Sequence, residues 1–135
     1  MDEAVPKWPD NMLKPQIELR VGGPREQALE VLARQLQGHM FRVRETRPDG
    51  FRARYWRWAW ILVFETARRT EIEVTAVDTV IRVSTVKYPL EAAPQKRVAQ
   101  ALNAALAELR SRGVAVHWSP WTDEDPRMKR KEGRA

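Results

Sequence analysis

Hydrophobic and polar residues alternate along several short stretches of this chain, and turn-forming residues separate them. Residues 16–21 place Ile17, Leu19 and Val21 on one face and polar side chains on the other, which is the period of a half-buried strand. The same alternation returns in the ranges 40–46, 51–64, 71–77 and 80–84. The pattern predicts one early strand followed by a meander of four more.

Two longer stretches have the helical period instead. Gly22-Gly23-Pro24 ends the first strand and begins a helix, with Gly23 as its cap, Pro24 at its first position and Gly38 at its end. A second helix is predicted from Pro94 to Arg112, ended by Gly113, and residues 114–118 are predicted as a short last strand. The apolar stripes expected to face the sheet are Ala28, Leu29, Val31, Leu32 and Leu36, then Val98, Ala101, Leu102, Ala105, Leu106 and Leu109.

Turn residues predict how the strands pair. Residues 47–50 read Arg-Pro-Asp-Gly, which favours a three-residue hairpin with Gly50 in the left-handed conformation. Further turns are predicted at 67–68 and 78–79. The expected pairs include Arg47–Phe51, Val43–Tyr55, Val63–Ile72, Ile61–Val74, Ala59–Ala76, Ala76–Ile81, Val74–Val83 and Ile72–Thr85. All three predicted pairings place the same apolar set on one face, namely Phe41, Val43, Tyr55, Ala59, Ile61, Val63, Ile72, Val74, Ala76, Ile81 and Val83. A slip of one residue in any pairing would move part of this set to the other face.

The resulting order, β-α-β-β-β-β-α, predicts an α+β fold with both helices on one face of an antiparallel sheet. In element order alone it resembles the helix-grip or TATA-binding-protein type of sandwich. A chain of 135 residues has room for one such domain, so we predict an extended arm over 1–15, the domain over 16–118 and a charged tail over 119–135.

Composition narrows the class of protein. There are no cysteines, so disulfides, thiolate metal sites and a cysteine nucleophile are all excluded. The first residues lack the basic and apolar blocks of a signal peptide. The longest apolar run, 59–64, is far shorter than a helical membrane span. These features predict a soluble, cytoplasmic protein.

Residues with catalytic or ligating chemistry are sparse. The two histidines, His39 and His117, have no metal-ligand spacing, and Glu71 and Glu73 are typical surface residues of a strand. The sequence has neither a nucleophile elbow nor a phosphate loop. We therefore expect no enzyme activity, no metal and no cofactor.

The other face of the predicted sheet is unusual for solvent-facing surface. It carries an arginine and tryptophan set, which we predict to bind a partner: Arg42, Arg44, Arg52, Arg54, Trp56, Trp58, Trp60 and Arg82. The predicted register puts Arg44 opposite Arg54 and Arg42 opposite Trp56. Like charges that face each other across strands are destabilising unless an anion lies between them, and three adjacent tryptophans are a large exposed apolar patch. The net charge of +6 and the 18 arginines also favour an anionic partner.

Several kinds of partner, including other parts of the chain itself, fit as the group that shields this face from solvent. One is the chain itself, through Trp118, Trp121 and the N-terminal arm. Another is a macromolecule, which is a protein, a single-stranded nucleic acid or a second copy of the chain. A third is a lipid headgroup layer, or a small apolar ligand held under the second helix by Tyr55, Ile61, Val74, Val83, Leu102 and Leu109. In the tail, phosphate contacts are predicted for Arg127, Lys129, Arg130 and Lys131. Among these, we predict a non-enzymatic module that docks on a larger assembly, with the apolar-ligand carrier and the nucleic-acid binder as alternatives.

Overall fold

A computed structural model describes residues 15–55, 71–86 and 92–123 of the chain. Its elements, in chain order, are β1 (Pro15–Val21), α1 (Arg25–Gly38), β2 (Phe41–Arg47), β3 (Gly50–Tyr55), β4 (Glu71–Val77), β5 (Val80–Thr85), α2 (Ala92–Ser111), β6 (Val116–Trp118) and β7 (Thr122–Asp123). The strands form one antiparallel sheet in the order β2-β3-β4-β5-β1-β6, and β7 also pairs with β1. The predicted α+β class and the order of its elements are confirmed.

Both helices pack on the same face of this sheet. The buried side of each strand and the stripes predicted for α1 and α2 belong to one hydrophobic cluster. All eleven predicted stripe residues are buried. The helices therefore cover one side, called here the inner face, and the opposite side, the outer face, carries the polar residues.

Helix ends differ slightly from those predicted. Pro24 keeps an extended backbone, so it is the cap of α1 and the helix begins one residue later. Helix α2 begins two residues before Pro94, whose missing N–H is not needed in the first turn. Gly113 ends α2 as predicted, with a left-handed φ of 81°.

The pairing of β4 with β5 is confirmed, with Ala76 opposite Ile81. The other two predicted registers are wrong. Strand β2 pairs with β3 two residues from the predicted position, so that Phe41 faces Tyr55. Strand β4 pairs with the beginning of β3, so that Ile72 faces Ala53 and not Val63.

Outside the bulge between Arg44 and Arg47, both errors are even numbers of residues, two and ten. Because side chains alternate with a period of two, an even shift changes every partner and leaves every face unchanged. Phe41, Tyr55 and the predicted residues of β4 and β5 are accordingly buried on the inner face, with Val43 half-buried. Ala59, Ile61, Val63 and the predicted turn at 67–68 lie outside the described residues.

The β2–β3 register follows from a tighter turn than predicted. Arg47 pairs directly with Gly50, which leaves only Pro48 and Asp49 in the loop. The extra residue is taken up by a bulge between Arg44 and Arg47, where Glu45 has the left-handed φ of 50° that had been predicted for Gly50.

Gly50 is required for a different reason, which is close approach to β4. A Cβ atom at this position would lie 2.1 Å from the carbonyl oxygen of Val74. The neighbouring carbonyl of Asp49 accepts a 2.7 Å hydrogen bond from the amide of Ala76. The turn is thereby held against β4, and this contact fixes the β3–β4 register.

The far edge of the sheet extends beyond the predicted domain limit. Thr122–Asp123 pairs with β1 as β7, inside the predicted tail of residues 119–135. Trp121 is only 8% exposed and belongs to the core cluster. Trp118 packs against the same cluster, and the Arg110 guanidinium lies 5.7 Å from the centre of its ring.

The close contact between Gly50 and β4 predicts that alanine destabilises the fold at Gly50 but not at Gly38. Gly50→Ala should destabilise the fold by about 2–3 kcal/mol, because the methyl group has no space beside β4. Gly38→Ala is the matched control, since nothing lies within 4 Å of its Cβ position and alanine favours the helix end. Urea denaturation followed by circular dichroism measures both; equal midpoints for the two variants would contradict this account of the register.

Candidate functional site

The outer face of β2, β3 and β4 carries a regular grid of charged side chains. In one row, Arg42 of β2 faces Arg54 of β3, which faces Glu71 of β4. In the next row the corresponding residues are Arg44, Arg52 and Glu73. Each row thus runs cation, cation, anion from the sheet edge inwards, and the predicted pairs Arg44–Arg54 and Arg42–Trp56 are replaced by Arg44–Arg52 and Arg42–Arg54.

The carboxylates on β4 neutralise the arginines of β3. A guanidinium nitrogen of Arg54 lies 3.8 Å from a Glu71 oxygen, and one of Arg52 lies 3.9 Å from a Glu73 oxygen. Glu73 is also 3.3 Å from Arg47, which is placed by the hairpin turn. The side chain of Glu71 is only 15% exposed, so this part of the outer face is partly desolvated and its charges attract more strongly than at an open surface.

Two arginines of β2, Arg42 and Arg44, have a different environment. Both Arg42 and Arg44 are exposed, and each directly faces another guanidinium across the strand pair. Within the described ranges, Arg44 forms no ion pair with a carboxylate; the nearby Glu45 pairs with Arg52 at 3.4 Å. These two arginines, called here the β2 column, are therefore exposed cations whose direct neighbours on β3 are also cations.

Arg82 lies apart from this grid. It is on β5, two strands from β3, and pairs at 3.7 Å with Glu18 of β1. The structure thus brings four of the predicted partner-binding residues together, namely Arg42, Arg44, Arg52 and Arg54, and places Arg82 in a separate ion pair. The remaining predicted residues lie outside the described ranges: Trp56, Trp58, Trp60, Arg127, Lys129, Arg130 and Lys131.

From the sequence alone, Glu71 and Glu73 are typical surface residues of a strand. In the structure they are the direct partners of Arg54 and Arg52. Their spacing of two residues equals the spacing of these arginines, and that match is a signal for pairing. The signal was missed because the predicted register placed β4 against residues 59–63.

The tryptophans predicted to cover the outer face, and the residues predicted to line a ligand cavity, lie in or against the core on the inner face. Trp118 and Trp121 pack with the inner-face core. The described residues predicted to line a ligand cavity under the second helix are Tyr55, Val74, Val83, Leu102 and Leu109, and all five are buried in that same cluster.

A groove of about 470 Å³ lies elsewhere, between α1 and the β2–β3 hairpin. Its apolar lining comes from Leu29, Ala33, Val43 and Phe51. Because α1 does not extend fully over the edge of the sheet at β2, the inner side of Val43 stays half-buried. The groove thus lies on the face of β2 opposite to Arg42 and Arg44.

Within the described part of the chain, no group of three or more histidine or acidic residues is arranged to hold a metal ion. In the same ranges, no helix combines the length and hydrophobicity needed to cross a bilayer. His39 is held by its own helix, with Nδ1 2.6 Å from the carbonyl oxygen of Gln35.

Comparison with known proteins gives no family assignment. No protein-family model, curated protein or solved structure matches the chain.

The charge grid predicts that removing an anion from β4 and removing a cation from β2 have opposite effects on the stability of the fold. Glu73→Gln should destabilise the fold by about 0.5–1 kcal/mol, because it leaves Arg47 and Arg52 without their shared carboxylate. Arg44→Gln should leave stability unchanged or raise it by a few tenths of a kcal/mol, about the value of one relieved like-charge pair. Chemical denaturation at 50 mM and 1 M NaCl measures this, and the difference should shrink at high salt. Equal destabilisation by both substitutions would be evidence against the grid.

Proposed function

We propose that this chain is a non-enzymatic binding module that docks on a larger protein assembly through the outer face at β2. The observation that carries the proposal is the pairing of guanidinium with guanidinium along β2 and β3, beside a β4 strand that carries the carboxylates Glu71 and Glu73. An edge column of exposed arginines is consequently the most favourable place on this face for an added anion.

Arginine suits such a contact better than lysine. Its planar fork donates two parallel hydrogen bonds to a carboxylate, which fixes the orientation of the partner as well as attracting it. A carboxylate placed between Arg42 and Arg54, or between Arg44 and Arg52, would also relieve the repulsion within those pairs. Partner binding and cross-strand electrostatics therefore favour the same arrangement.

The grid favours a protein partner over a nucleic acid. A phosphate backbone crossing the sheet from β2 would meet Glu71 and Glu73 two strands away, at about 10 Å. The cationic strip is thus only about two strands wide, and single-strand binders use longer basic grooves. A protein surface can present a few carboxylates to this strip and leave the β4 column uncovered.

Charge reversal of the β2 column tests the proposal. In the variant R42E/R44E the new carboxylates face Arg54 and Arg52, so the melting temperature should stay the same or rise. Capture of the partner from an extract of the source organism should fall about tenfold or more, measured by quantitative mass spectrometry of material bound to the tagged chain.

The matched control is R20E/R97E, which changes the net charge equally at two exposed positions on β1 and α2. It should retain the partner. Equal capture by R42E/R44E and the wild-type chain would overturn the proposal, as would equal loss in both variants. Loss of capture after nuclease treatment would move the site to nucleic acid, and a small molecule as the sole bound species in a native mass spectrum would favour the carrier alternative.

A further inference from the structure

Strand β2 is the first strand of the sheet and hydrogen-bonds to β3 on one side. In an antiparallel pair, alternate backbone N–H and C=O groups of an edge strand point away from its neighbour. Among the described strands, none pairs with the outer side of β2. Its backbone therefore presents a template for one more strand.

The inner side of this edge has apolar space beside it. The groove is bounded by one side of α1, including Leu29 and Ala33, and by Val43 of β2. The other side of α1 faces α2, where the side-chain amide of Gln35 donates a hydrogen bond to Glu108 at 3.1 Å. The groove thus lies along the side of α1 that is turned to the β2 edge, where the alternate side chains of an added strand would enter.

The outer side of the same edge has the opposite chemistry. Arg42 and Arg44 flank Val43 and project to the other face. A strand added beside β2 would therefore meet cations on one face and an apolar groove on the other. Side chains directly opposite each other across strands share a face, so the two chemistries select alternate residues of the added strand.

We propose that β2 accepts, by strand addition, an extended segment of a partner protein in which acidic and apolar residues alternate. This deepens the proposed function and rests on it, since it names the part of the partner that docks at the β2 column. Acidic side chains pair with Arg42 and Arg44, and the apolar side chain between them enters the groove beside Val43.

The part of β2 that accepts the added strand is short. Met40 and Glu45 both have left-handed backbones, with φ of 72° and 50°, and the bulge begins after Arg44. The regular edge is therefore the four residues 41–44, enough for one acid–apolar–acid triplet. A second copy of β2 does not fit, because the arginines of the two copies would face each other across the new pair.

Synthetic peptides test the pattern directly. The probe is a fluorescein-labelled Glu-Val-Glu-Val-Glu-Val-Glu peptide, whose binding is followed by fluorescence anisotropy. We expect binding to be lost when lysine replaces glutamate. We also expect it to weaken about tenfold or more when the same residues are arranged as Glu-Glu-Glu-Glu-Val-Val-Val, because that order removes the period of two.

Backbone methylation separates strand addition from simple charge attraction. Alternate amides of the probe form two sets, of which one points towards β2. N-methylation of that set should reduce binding at least about tenfold, and N-methylation of the other set should leave it nearly unchanged. Equal effects of the two methylated probes would overturn the proposal.

A protein variant tests the groove without changing any charge. Ala33→Phe places a ring in the groove and should weaken probe binding about tenfold, whereas Ala107→Phe, at an exposed site on α2, should not. Thermal unfolding checks that both variants are folded.

The two proposals fail in distinguishable ways. If R42E/R44E loses the cellular partner but the probe ignores residue order and methylation, the docking face stands and strand addition is wrong. If R42E/R44E keeps the partner, the proposed function itself is overturned, whatever the peptide does.

Discussion

The register between β3 and β4 is the constraint on which the outer face depends. It is held where the β2–β3 turn meets β4, because Gly50 has no side chain and lies against the Val74 carbonyl. This register places Arg52 opposite Glu73 and Arg54 opposite Glu71. A shift of two residues would keep every side chain on its face yet move Glu71 from Arg54 to Arg52. The positions of the charges thus follow from a close backbone contact at the turn.

Ion pairing across β3 and β4 distinguishes the arginines of β3 from those of the β2 column. The partly desolvated carboxylates of β4 engage the β3 arginines, whose own environment is half-buried. The β2 column has guanidinium groups on its inner neighbour and an unpaired strand edge, among the described strands, on its other side. A surface that composition describes only as basic is therefore ordered, with neutralised charge towards the centre of the sheet and cationic charge at its edge.

The same edge strand joins two features that lie on opposite faces. Helix α1 packs on the sheet with one side turned to α2 and the other towards β2, which leaves apolar space beside Val43. Pleating sends Val43 to that space and its neighbours Arg42 and Arg44 to the outer face. The proposed specificity for alternating acidic and apolar residues follows from the two-residue period of a strand, because β2 has cations on one face and an apolar groove on the other.

The sequence by itself determined the number and kind of most elements, the stripes of both helices, the β4–β5 register and the alternating faces of β1, of β2 up to the bulge, and of β3, β4 and β5. These depend on local periodicity and on short turns, which residues close in the chain specify. Only the tertiary structure decided that Gly50 contacts β4, that Glu71 and Glu73 pair with Arg54 and Arg52, and that Trp121 joins the core with β7 beside β1. Such contacts join residues about 20 to 100 positions apart, and period-two alternation cannot distinguish one even register from another.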